Sequence, residues 1–259
     1  MAKNEKRCHF GTDVTAEIRE IFAGDSATWP QSCLVLVKLS DLGGDENTLS
    51  RTAVKVLTSS EMATFQGFRF FHRRREWLAG RLAVKEAVAL LLSELRKAQQ
   101  HFEVGVDDKG KPFLATSPAP EKAVHLAISH SGGMALGLAS LAPCALDFQE
   151  IRSSLARVET RFAREDETAP LQPWCSDRLT ALGLLWAGKE ALRKYVALWP
   201  LLGFLESDLE AVAAHGNGFL LSFQPQPGKR SLPATLPGVW AALFEENALA
   251  IILSDSENR

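Results

Sequence analysis

AVKEAV at residues 83–88 and AGKEAL at residues 187–192 are nearly the same phrase, written twice in one chain. Each lies in a run whose apolar residues recur at helical spacing. In the first run Trp77, Leu78, Leu82, Ala83, Val88, Leu91 and Leu95 predict a helix over 71–95, and the second run predicts one near 178–198. Outward from these helices the surroundings also match. A strand-like run precedes each one, CLVLVKL (33–39) and CALDF (144–148). FEVGV (102–106), HLAIS (125–129) and MALGLAS (134–140) follow the first; LEAVAA (209–214), GFLLSF (218–223), VWAALF (239–244) and ALAIILS (248–254) follow the second. A further helical pattern lies near 151–166. Lys, Glu and Ala are common in helices, so six similar residues can arise by chance; the shared element order favours internal duplication. The expected fold is α/β (α+β), a pseudo-twofold duplication of two similar subdomains. Each has a long helix packed on a mainly antiparallel sheet, and the cleft between them is the expected site. The expected divisions are a polar N-terminal extension at 1–30, one subdomain at 31–142 and the other at 143–259.

A chain of 259 residues, 46% hydrophobic and 23% charged, is long enough to bury two such cores. A net charge of −2 gives no global electrostatic case for nucleic acid or an anionic membrane. Locally the balance differs: Arg69, Arg73, Arg74, Arg75, Arg81 and Lys85 face only Glu76 and Glu86 between Phe65 and Glu86. Cys8, Cys33, Cys144 and Cys175 form no CxxC pair, which suits reduced thiols better than a disulfide frame or zinc site. With no secretory pattern and no uninterrupted apolar run of membrane-spanning length, the expectation is a soluble, cytoplasmic protein.

Five short motifs can carry chemistry. In LWAGKEALRKY (185–195), Trp186, Glu190 and Lys194 fall on one helix face. A carboxylate beside an ammonium can hold a metal–phosphate pair, although in isolation Glu and Lys at this spacing are a routine exposed pair. CALDFQE (144–150) puts Asp147 at the end of an apolar strand, a place for a helix cap or for a ligand of a hard cation. Mg²⁺ takes one or two protein carboxylates, so Asp147 with Glu190 would suffice. AISHSGG (127–133) offers Ser129 and His130 as donors to an anion. As neighbours on a strand they point to opposite faces, which argues against a Ser–His nucleophile. Two lysines lie in DDKGKPF (107–113), and RRREWLAGR (73–81) sets Arg74 and Arg81 two turns apart beside Arg73, a phosphate-binding pattern or a solvated helix end.

Taken together, RRREWLAGR, GKP (110–112), SHS (129–131), ALD (145–147) and WAGKEALRK (186–194) resemble the 4′-phosphopantetheinyl transferases of the Sfp type, in the family's order and near its spacing. The resemblance implies coenzyme A as donor substrate, Mg²⁺ as cofactor, and an acyl- or peptidyl-carrier protein whose serine receives the phosphopantetheine arm as 3′,5′-ADP leaves. It implies Asp147 and Glu190 as metal ligands, Glu190 also as the base, and Lys194 as the contact to the pyrophosphate, with Lys189 the adjacent motif lysine. Ser129 and His130 match the residues that hold the 3′-phosphate, and Arg73, Arg81 and Lys111 match basic positions around the nucleotide. Two positions depart from the family pattern: Ala145 replaces its glycine, and Gln149, a possible amide ligand to the metal, replaces its second acid. Lys85 and Glu86 of the first copy are expected to be structural. Because one chain supplies both sides of the cleft, a monomer is expected. The rivals are a coenzyme-A-binding relative without transferase activity and an unrelated Mg²⁺-dependent phosphohydrolase.

Overall fold

In the strand Ser32–Lys38 (β1) every residue from Leu34 to Val37 is buried, and the alternate side chains enter different cores. Leu34 and Leu36 face one way, Val35 and Val37 the other. Such a strand is covered on both faces, which explains its unbroken apolar run. The computed structural model describes residues 31–92, 102–116, 123–196, 203–226, 233 and 235–254. The expected extension at 1–30 lies outside them.

After β1 come two short helices, Glu46–Val56 (α1) and Ser59–Gly67 (α2), then Phe71–Leu91 (α3). Asp45 caps α1 by accepting from Thr48 N at 2.9 Å, and Thr58 with Glu61 forms a capping box on α2. Strands Val104–Val106 (β2), Pro112–Leu114 (β3), His125–Ser131 (β4) and Met134–Ser140 (β5) complete the first half. The second half runs Cys144–Glu150 (β6), Ser154–Val158 (α4), Arg178–Val196 (α5), Ser207–His215 (β7), Gly218–Pro225 (β8), Val239–Phe244 (β9) and Asn247–Leu253 (β10). One sheet is ordered β1-β5-β4, the other β6-β10-β9-β8-β7, and β2-β3 form a separate ladder. All pairings among the described residues are antiparallel. Both halves therefore place the first strand beside the last, with the last-but-one on its other side.

The layers are helix, sheet, sheet, helix. Leu34, Leu36, Leu136 and Leu138 from the first sheet meet Leu146, Phe148, Leu249 and Ile251 from the second in a shared central core. The opposite faces carry α3 and α5. A Cβ at Gly137 of β5 would stand 2.2 Å from Val84 N, so only glycine lets α3 lie this close.

The repeated phrase places the same side chain in the same role. Lys85 Nζ donates to Val56 O at 2.9 Å and to Glu61 Oε2 at 2.5 Å, while Glu61 Oε1 accepts from Val104 N. Lys189 Nζ lies 2.6 and 2.8 Å from the two Glu167 oxygens and donates to Phe162 O and Phe204 O; Glu167 Oε1 accepts from Leu209 N. Each ammonium, with at most 1% exposure, ties its helix to the segments before it and, through its glutamate, to the first strand after it. Burial lowers both lysine pKa values, and the paired carboxylates oppose that shift.

Two expectations need correction. Lys189 is such a clamp, walled off by protein, and is no contact for a bound cofactor. The pattern at 151–166 forms only α4 and a 3-10 turn at Glu159–Arg161. There the chain turns so that Phe162 O and Glu167 reach Lys189, with Asp166 in the left-handed region (φ 60°). Lys189→Met strands the Glu167 carboxylate in the interior, and a loss of about 3–5 kcal/mol is expected, read from the denaturant midpoint. Lys85→Met should cost a similar amount through Glu61.

Candidate active site

Strand alternation delivers Asp147. Leu146 and Phe148 enter the central core, so Ala145 and Asp147 face α5. From α5, Trp186, Glu190 and Lys194 share one face, and all three line a recess with Asp147, Gln149, Ser129, His130, Arg193 and Phe204. Lys194 Nζ donates to Asp147 Oδ1 at 2.7 Å and to Leu146 O at 3.1 Å. Arg193 Nη1 donates to Glu190 Oε2 at 2.6 Å, and its guanidinium lies over the Phe204 ring at 4.2 Å. Phe204 packs on Trp186 at 4.7 Å between ring centroids and accepts from Lys189 through its carbonyl. The clamp therefore supports the aromatic shelf under Arg193.

Ser129 Oγ donates to Asp147 Oδ1 at 3.1 Å and accepts from Phe148 N at 3.1 Å. Two residues on, Ser131 Oγ accepts from Glu150 N at 2.9 Å. The S-x-S spacing thus stitches β4 to β6 across the sheet boundary. In this arrangement Ser129 bridges Asp147 and the β6 backbone, and it also borders the recess. His130, between the serines, is turned out to the cleft and exposed. Crowding by the cleft walls lowers its pKa; Arg73 and Lys194 add to the shift, while Glu76 and Asp147 oppose it.

A second recess is lined by Arg73, Glu76, Trp77, Arg81, Gly110 and His130, among others. Arg81 is 6% exposed, stacks over Trp77 at 4.7 Å, and its Nε has no partner among the described residues. Arg73 pairs with Glu76 at 2.9 Å and remains half exposed. A third recess joins Lys109 and Lys111 to Glu190 and Lys194 over a floor that includes Ile128 and Cys144. Burial pushes the Cys144 thiol up to about 12, so it offers no nucleophile at neutral pH. Ile128 borders all three recesses, which form one groove along the seam of the halves.

The groove thus brings together Asp147, Gln149, Glu190, Lys194, His130, Arg73, Arg81 and Lys111, and excludes Lys189. Sequence reasoning missed Arg193 and Phe204. Arg193 carried a signal, three residues after Glu190 on one helix; Phe204 carried none.

The donor set fits a small hard cation. Asp147 is 5% exposed, and its Oδ2 is buried with no hydrogen-bond partner among the described residues. A buried carboxylate oxygen left in this way is costly unless a cation or donor meets it. Glu190 and the Gln149 amide border the same recess. Gln149 Nε2 donates to Glu150 O, which leaves its carbonyl oxygen as the free acceptor type. No three His, Cys, Asp or Glu side chains cluster as metal ligands among the described residues, so two carboxylates are what the site provides. Mg²⁺ binds in this way, with water and substrate oxygens filling the other positions.

No family model matches the sequence. The curated holo-[acyl-carrier-protein] synthase of Streptococcus equi subsp. equi (strain 4047) is 38% identical over 102 residues, covering 38% of this chain and 85% of the relative. That of Lactococcus lactis subsp. cremoris (strain SK11) is 36% identical over 98 residues, covering 37% of this chain and 82% of the relative. Among solved structures, a holo-(acyl-carrier-protein) synthase from Bacillus anthracis str. Ames in complex with CoA (3′,5′-ADP) is similar at 31% identity. It covers 42% of this chain and 92% of that one, with a TM-score of 0.37.

Ser129→Ala leaves Phe148 N without its acceptor, and a loss of about 1–3 kcal/mol is expected in denaturant unfolding. The His130 imidazole should titrate below the ordinary histidine value of 6.5 in a proton NMR titration.

Proposed function

The chain belongs to the 4′-phosphopantetheinyl transferase superfamily, and we propose that it is a two-unit, Sfp-type member. It transfers the 4′-phosphopantetheine arm of coenzyme A to a serine of an acyl- or peptidyl-carrier protein and releases 3′,5′-ADP. The observation that carries this reading is the convergence of Asp147, Glu190 and Lys194, from a strand and a distant helix, on one recess with Lys194 bonded to Asp147.

Arg81, held on Trp77 with an Nε that has no partner among the described residues, meets the 3′-phosphate together with Arg73 and His130. Lys111 approaches the nucleotide from the β2–β3 turn, and Lys194 meets the diphosphate. Asp147, Glu190 and the Gln149 carbonyl would hold Mg²⁺, which when bound neutralises charge on the diphosphate. Glu190 takes the proton of the carrier serine. The serine Oγ bonds to the phosphorus that bears the pantetheine arm, and the bond from that phosphorus to the bridging oxygen breaks. The electron pair leaves on 3′,5′-ADP, whose new charge Lys194 meets. Ser129 and Lys189 position these groups from behind. No helix among the described residues is long and apolar enough to cross a membrane; the cytoplasmic site of action in this reading rests on the carrier-protein substrate. One chain forms both walls of the groove, which supports action as a monomer.

A coenzyme-A-binding relative without transfer is favoured by one observation, the neutral Gln149 where the family carries an acid. Incubation with coenzyme A, Mg²⁺ and several apo carrier proteins separates the two readings. A mass gain of one phosphopantetheine arm on a carrier supports the transferase, and no gain on any carrier supports the binding protein. Asp147→Ala and Glu190→Gln are each expected to lower transfer at least ~100-fold with an unchanged circular dichroism spectrum. Wild-type turnover by either variant would remove the proposed site.

A further inference from the structure

Each of the two carboxylates that face the proposed metal position already holds a basic side chain. Asp147 is paired with Lys194 at 2.7 Å, and Glu190 with Arg193 at 2.6 Å. The Asp147, Glu190 and Arg193 side chains are at most 23% exposed, so solvent screens these pairs less than it screens surface pairs. The family pattern would add a third acid at position 149, where this chain has glutamine. The charged side chains around the recess therefore sum to zero, with His130 driven towards its neutral form. A divalent cation arriving alone meets no net attraction and must compete with an ammonium at Asp147 and a guanidinium at Glu190.

The two partners are not equally free. Arg193 is stacked on Phe204, which rests on Trp186 and is fixed through its carbonyl by the buried Lys189. Its hold on Glu190 Oε2 leaves Oε1 as the oxygen for another ligand. Lys194, by contrast, is one-third exposed and carries its charge on a four-carbon stem. A diphosphate in the groove draws Lys194 Nζ from Asp147 and brings two negative charges of its own. Both effects turn a neutral recess into one that attracts a dication.

We propose that the divalent cation and the diphosphate of the donor bind this site cooperatively, with Lys194 as the moving element and Arg193 as the fixed positioning residue that presents one oxygen of Glu190. This rests on the transferase reading and adds to it an energetic coupling between metal and donor. Such coupling is reciprocal, so coenzyme A must tighten the metal as much as the metal tightens coenzyme A.

The test is isothermal titration calorimetry of the full-length protein with MnCl₂, alone and with saturating coenzyme A, corrected for Mn²⁺ taken up by free coenzyme A. Coenzyme A is expected to tighten Mn²⁺ at least about tenfold, and 3′,5′-ADP, which lacks the diphosphate, much less. Lys194→Met should strengthen Mn²⁺ binding in the absence of coenzyme A and reduce the enhancement. Gln149→Glu, a conservative change at the groove edge, should also strengthen Mn²⁺ alone, and keeps the test decisive if the lysine variant folds poorly. An unchanged Mn²⁺ affinity on adding coenzyme A, or an equal effect of 3′,5′-ADP, overturns the coupling while leaving the transferase reading standing. Failure of coenzyme A to bind at all overturns both.

Discussion

Each half of the chain is organised around one ammonium group with no access to water. Lys85 and Lys189 reach back from the long helix of each half to a carbonyl of the preceding segment, Val56 at the end of α1 and Phe162 in the loop after α4. Each also binds a glutamate that grips the first residues of the following strands. A buried charge is tolerated only where its partner and its hydrogen bonds are all supplied, so the loops around it have little choice of path. The lysine of the repeated phrase is therefore a folding constraint common to both halves. The chemistry separates them: Leu82 and Leu90 of the first helix correspond to Trp186 and Lys194 of the second, so the aromatic and cationic groups that flank Glu190 have no counterpart around Glu86.

The groove follows from combining the two copies. Packing the sheets face to face through leucine, isoleucine and phenylalanine leaves their helices on the outside and a seam along their edges. The first half contributes the basic groups Arg73, Arg81, His130 and Lys111 to that seam, and the second contributes Asp147, Glu190 and Lys194. Charge is thus distributed unevenly, mainly positive where a nucleotide phosphate would lie and mixed where bond breaking would occur.

Much of this was legible in residues 31–259. Period-2 and period-3.6 apolar patterns mark most of the strands and the two long helices, because both kinds of element bury whole faces. The helices at 46–67 were not read: α2 has almost no apolar asymmetry, and its start is fixed by the Thr58–Glu61 cap and the distant Lys85. The run at 151–166 looked helical but broke where Phe162 and Glu167 serve the Lys189 clamp. Charged residues on helices were the hardest to assign. Lys189 and Lys194 are neighbours in one motif, yet one shares the apolar face of Leu185 and Leu192 and enters the core, while the other shares the face of Glu190 and enters the groove; the sequence does not reveal that Glu167, some twenty residues upstream, is the partner of Lys189. The bonds of Ser129 to Asp147 and Phe148 N were not legible for a similar reason, since its partner is a strand of the other half.

The joint between the sheets has a further implication for geometry. Two ordinary β-strands can slide past one another by two residues and still satisfy every amide, because all rungs of a ladder are alike. Here the rungs between β4 and β6 are two serine hydroxyls, and there is no third at either end to receive the shifted strand. His130, lying between those serines, is therefore held at one fixed offset from Asp147, so the spacing between the basic and the acidic ends of the groove is set by two serine hydroxyls.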